Sequence, residues 1–143
     1  MKLLNILAHP VLLIISFSLV LVIGEKFSGF YIVYILMALF ELHIHALWAF
    51  IAAILLAVGH QMKENDKAKG MISIAGSLLL MVSLITFFYN DKDHYNWDTF
   101  QETKSLVSLG IFGLLWTLFV FKNIIPIKRL NKTENSSTRL SNI

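Results

Sequence analysis

The chain has 143 residues, of which 57% are hydrophobic and only 15% charged, with a net charge of +3 and a mean hydropathy of +0.70. Soluble domains carry about 25% charge and about 45–50% apolar residues; here the apolar excess is gathered in long runs, which excludes an ordinary soluble globule and a disordered chain. There is no cysteine, which excludes a disulfide scaffold, thiol catalysis, Cys-ligated zinc and iron–sulfur clusters.

A hydrocarbon core of about 30 Å needs about 20 apolar residues of helix. In chain order the sequence predicts spans over 3–23, 30–58, 71–89 and 105–121. The expected fold is an all-α integral membrane bundle of four transmembrane helices over 1–129, followed by a flexible polar tail over 130–143. The first span opens with one lysine and a long apolar core, a pattern shared with signal peptides; we read it as a retained span. A short loop over 24–29 follows, and the second span leads to a charged turn over 60–70. After the third span, the loop over 90–104 contains Thr99-Phe100-Gln101-Glu102, a capping-box pattern that predicts the fourth helix to start near Phe100. That helix is expected to stop at Lys122 and Pro126.

Basic residues set the orientation. With four spans, Lys2, Lys63, Lys67, Lys69, Lys122, Lys128, Arg129, Lys132 and Arg139 share one side, and only Lys26, Lys92 and Lys104 lie on the other. This predicts an inner-membrane protein with both termini cytoplasmic. Tyr31, Tyr34, Tyr89, Tyr95 and Trp97 fall near the outer boundary, as an interfacial aromatic belt would. Topology accounts for the basic residues, so no nucleic-acid partner is expected.

The second span carries Glu41-Leu42-His43-Ile44-His45 near its centre. An ionisable group at the bilayer midplane costs about 2.5–3.5 kcal/mol and is a functional-site hypothesis by default. On a continuous helix Glu41 and His45 touch, while His43 lies about 200° around the axis. Glycine and proline are absent between Gly29 and Gly59, so the expectation is an unbroken, tilted helix. Its small residues Ala49, Ala53 and Ala57 form a predicted packing seam, as do Gly110 and Gly113 on the fourth helix and Ser73, Gly76, Ser83 and Thr86 on the third.

Glu41, His43 and His45 are thus the candidate intramembrane polar site, and no catalytic or metal-binding set is predicted. The ligands are too few for a metal site, and the pattern His-Glu-x-x-His is absent. His9 and His60, both expected near the cytoplasmic boundary, are the best pair for bis-histidine haem, but two histidines do not make a haem site and no cofactor is predicted. The first expectation for function is a non-catalytic subunit or accessory of a larger membrane assembly, partnered by the bilayer and by other membrane proteins or its own copies. The alternatives are a small oligomeric channel or transporter with a proton or cation path through Glu41 and His45, and a metal- or haem-binding redox protein.

Overall fold

The computed structural model describes residues 6–24, 27–62, 67–90 and 96–141, with side chains in the last helix described as far as Ile125. In chain order the elements are α1 (Pro10–Ser18), β1 (Leu21–Ile23), β2 (Ser28–Phe30), α2 (Tyr31–Phe40), α3 (Ile44–Gln61), α4 (Lys67–Tyr89), a 3-10 turn (Trp97–Phe100) and α5 (Thr103–Ser141). The chain is mostly helical, and among the described residues three helices are long and apolar enough to cross a membrane: α3, α4 and the part of α5 from Thr103 to Ile125.

The first apolar stretch departs from the predicted helix. Pro10 occupies the first turn of α1, and the Nδ1 of His9 caps it by accepting the Val11 amide at 3.3 Å. The helix ends at Ser18, just before Val20-Leu21-Val22-Ile23, where β-branched side chains favour an extended chain. β1 then pairs antiparallel with β2, with Leu21 opposite Phe30 and Ile23 opposite Ser28. The expectation of one helix over 3–23, and with it the strictly all-α class, is corrected here. Nine helical residues rise about 14 Å and four extended ones about 13 Å. The segment therefore climbs about as far as a membrane-length helix, from His9 beside His60 to Ile23 beside Thr99.

A strand among apolar helices must satisfy its backbone without water. The free edge of β1 is met by hydroxyls: the Leu21 amide donates to Ser108 Oγ and the Ile23 amide to Thr99 Oγ1, both at 2.9 Å. Thr99 Oγ1 also donates to the Ile23 carbonyl at 3.1 Å. Thr99 is fully buried in this role and caps no helix; α5 starts at Thr103, three residues beyond the predicted Phe100. The threonine of the capping-box pattern is spent on a strand 76 residues away in sequence.

α3 and α4 form the closest helix pair. The face of α3 that meets α4 runs His45, Ala49, Ala52, Leu56 and Gly59, all buried. Ala49 belongs to the predicted seam, but Ala53 is half-buried and Ala57 exposed. Repeated steps of four residues drift about 40° each around a helix, whereas alternating steps of four and three stay on one face. On α4 the seam is as predicted for Ser73, Gly76 and Ser83, which are buried. A Cβ on Gly76 would stand 3.0 Å from Leu56 Cγ and 3.2 Å from the Ala52 carbonyl, and one on Gly59 only 2.7 Å from Ser73 Oγ. These two glycines set the distance between the helices.

α5 buries Ser105, Phe112, Leu115 and Phe119. Its Trp116 donates across to the Ser77 carbonyl of α4 at 2.9 Å, and Phe112 meets Phe17 of α1, ring centroids 5.5 Å apart. Gly110 and Gly113 make no such contact: among the described residues nothing lies within 4 Å of a Cβ built at either, so the predicted internal seam looks outward. The backbone of α5 runs on through Pro126 to Ser141, so neither Lys122 nor Pro126 stops it. An interior proline removes one ladder bond and kinks a helix locally, after which the chain can resume it.

Candidate functional site at the helix break

The second apolar stretch is two helices. α2 ends at Phe40, and Leu42 adopts a left-handed conformation with φ 54°. The His43 amide donates to the Ala38 carbonyl at 2.9 Å and the Leu42 amide to the Leu39 carbonyl at 3.2 Å. This pair of bonds is a Schellman motif, which usually places glycine where Leu42 stands. A left-handed leucine costs about 1–2 kcal/mol. His43 returns to extended geometry and caps α3, its carbonyl accepting the Ala46 and Leu47 amides at 3.1 and 3.2 Å. The predicted continuous helix is overturned.

Tertiary contact explains the break. A straight helix would place Tyr31 and His45 about 21 Å apart along its axis. The turn brings their rings to 6.5 Å, and both pack on Phe87 of α4, at 5.1 Å for Tyr31 and 5.2 Å for His45. Ser83 ties the cluster together. Its hydroxyl donates to the His45 carbonyl at 2.7 Å, and the Tyr31 hydroxyl lies 3.1 Å from Ser83 Oγ and 3.2 Å from the Ser83 carbonyl.

The pairing of the ionisable residues also differs from the prediction. Glu41 touches His43, not His45: Glu41 Oε2 stands 2.8 Å from His43 Nε2, and both side chains are exposed. His45 turns inward, 8% exposed, with its ring 5.9 Å from that of His43. Its Nε2 is buried without a hydrogen-bond partner among the described residues. The two faces assigned to a straight helix do not exist, because Leu42 redirects the chain between Glu41 and His43. Depth changes as well. α3 by itself is 18 residues, about 27 Å, enough to approach a full crossing. Glu41 and His43 therefore sit at the end of a membrane-length helix and not at its middle, which lowers the cost of their charges.

Tyr31 and Phe87 belong to this site and were not expected there. Tyr31, expected in an interfacial belt, is instead fully buried; Tyr89 and Trp97 are exposed, Tyr34 is half-buried, and Tyr95 lies outside the described residues. Ser83 was visible in the sequence only as a packing residue.

At the opposite end of α3, His9 and His60 do meet, edge to face, with ring centroids 4.9 Å apart. Haem held between two imidazoles puts their centroids about 6 Å apart, given metal–nitrogen bonds of about 2 Å, so this arrangement does not match a haem sandwich. Among the described residues no group of three or more His, Asp or Glu is placed to hold a metal ion.

The chain matches no family model, no curated protein and no solved structure.

Proposed function

We propose that the protein is a non-catalytic subunit or accessory of a larger assembly in the inner membrane, with both termini cytoplasmic. The reading rests on the outward face of α5. Gly110 is exposed and Gly113 half-buried, among the described residues nothing lies within 4 Å of a Cβ built at either, and exposed Val107 and Leu114 flank them. Thr117, one turn on, is exposed and returns its hydroxyl to the Gly113 carbonyl. Small residues on a membrane helix allow another helix to approach closely, so packing and not water exclusion drives the contact. The partner is another membrane protein or a second copy of the chain. The test is the mass and composition of the native particle extracted in mild detergent, with and without Gly113→Leu. A second polypeptide, or a second copy, that Gly113→Leu sheds supports the reading. A lone monomer in both cases overturns it.

A second reading, proton or cation handling, is favoured by the helix break. Discontinuous membrane helices commonly mark ion sites in transporters, and here the break sets the Glu41–His43 pair beside buried His45. Flux through proteoliposomes, compared with Glu41→Gln and with empty vesicles, tests it: wild-type flux no greater than that of empty vesicles, or flux undiminished by Glu41→Gln, overturns it.

A further inference from the structure

His45 stands in the first turn of α3 with its ring turned into the protein, more than nine-tenths buried. Three elements meet that ring: α2 through Tyr31, α4 through Phe87 and the turn through His43, at 6.5, 5.2 and 5.9 Å between centroids. Its Nε2 has no hydrogen-bond partner among the described residues. The Tyr31 and Ser83 hydroxyls of the same cluster are engaged with each other, and Ser83 with the His45 carbonyl. Of these neighbours Tyr31 and His43 titrate, and Phe87 and Ser83 do not. The carboxylate of the turn, Glu41, is held by His43 at 2.8 Å.

This environment suits a neutral imidazole and not a charged one. A neutral ring can leave Nε2 as a bare acceptor. A second proton would place a charge and an N–H donor in a buried position, with no described acceptor to receive it. The first turn of a helix also disfavours a cation, because the helix dipole is positive there. The same ring fastens α2. That helix buries only Tyr31, Ile35 and Ala38, while Leu36, Met37 and Phe40 are exposed. The contacts of Tyr31 with His45 and Phe87 hold its start against α3 and α4.

A charged His45 has a better partner within the chain. Glycine and proline are absent from 30–58, so the segment over 41–45 can take up a helical turn. There Glu41 and His45 stand four residues apart on one face, with the acid on the N-terminal side, the favourable order for an ion pair. Leu42 would at the same time leave its left-handed conformation.

We propose that His45 is a proton-operated latch on the helix break. Neutral, its ring holds α2 against α3 and α4; protonated, it leaves Tyr31 and Phe87 for Glu41, and α2 is released. Exposed His43, whose ring adjoins it, brings the proton from the aqueous side. The latched state holds while His45 is neutral and gives way as pH falls, because the released state binds one proton more. The latch requires no flux through the protein, so it stands or falls apart from the transport reading.

The chain has no cysteine, so introduced cysteines alone carry spin labels. Exposed Met37 on α2 and exposed Ile85 on α4 are replaced as Met37→Cys and Ile85→Cys in the full-length protein in mild detergent. The distance between the labels is measured by pulsed electron resonance from about pH 8 to about pH 5, the range in which histidine changes charge. The expected result is a second distance that grows on acidification, its ratio to the first rising by up to about tenfold per pH unit, as for one proton. His45→Phe, which keeps a ring but takes no proton, should remove the response; His45→Gln serves if that variant fails to fold. Glu41→Gln should move the midpoint to lower pH, and His43→Gln should keep a response. A single unchanging distance in the labelled protein overturns the proposal. So does a response that survives His45→Phe, one that is lost in His43→Gln, or a midpoint that Glu41→Gln leaves in place. The thermal midpoint at the alkaline end of the range checks that each variant is folded.

Discussion

The hydroxyl of Ser83 on α4 donates to the backbone carbonyl of His45 on α3 across 2.7 Å, in a fully buried contact between residues 38 apart in sequence. The bond fixes the first turn of α3 against α4. Because Ser83 Oγ also faces the Tyr31 hydroxyl at 3.1 Å, it connects the starts of both halves of the broken stretch. Ser83→Ala should lower stability by about 1–2 kcal/mol, since it removes one bond and leaves the Tyr31 hydroxyl short of a partner. Tyr31→Phe combined with Ser83→Ala should cost less than the two singly, because they share that contact. Reversible unfolding in mixed micelles measures both, and strict additivity would contradict the shared network.

Leu42 offers a test of opposite sign. The residue is 72% exposed, so little packing is lost by removing its side chain, while its φ of 54° is unfavourable for any residue with a Cβ. Leu42→Gly should raise stability, by up to about 1 kcal/mol. Leu42→Val, with a branch at Cβ in the same conformation, should lower it. Unfolding midpoints of the two variants on either side of the wild type would establish the turn; both falling below it would not.

The glycines separate into two kinds. Gly76→Ala places a methyl against Leu56 Cγ and the Ala52 carbonyl, and should destabilise the monomer by about 1–3 kcal/mol. A methyl at Gly110 or Gly113 meets nothing within 4 Å among the described residues, so in Gly110→Ala and Gly113→Ala monomer stability should stay level or rise slightly through improved helix propensity. If α5 docks a partner, Gly113→Leu should still break the assembly. Stability and particle mass, measured on the same preparations, separate the two effects.

Glu41 and His43 form an exposed pair, and exposed pairs contribute about 0–1 kcal/mol. Glu41→Gln should therefore leave unfolding almost unchanged. A large loss would mean that the pair is covered in the membrane, by a partner or by the chain itself, and would revive a structural role for Glu41. Orientation is checked separately: a reporter fused after Ile143 should read as cytoplasmic.

Membrane class was legible because it depends on composition and run length, which folding does not change. Two of the predicted spans, 71–89 and 105–121, fall within helices long enough to cross, as does most of α3 within 30–58. The convergence of His9 and His60 was legible for a similar reason: both were expected at the same boundary. The break at Leu42 was not legible. Glycine and proline are the residues that announce such a turn, and neither is there. A leucine takes the left-handed position only because Tyr31, His45, Ser83 and Phe87 gain more from meeting than the turn costs.

The sequence by itself determined that the chain is apolar enough for a membrane, where its long helices lie, and which few ionisable residues fall inside apolar runs. These follow from local hydrophobicity and charge, which act residue by residue. Tertiary structure alone decided that Val20–Ile23 leave the helix, that Thr99 and Ser108 cover the edge of their strand, and that Glu41 pairs with His43 while His45 turns inward. Each of these is a contact between distant segments. In an apolar interior the backbone's polar groups need partners, and the partner that is found sets the local conformation.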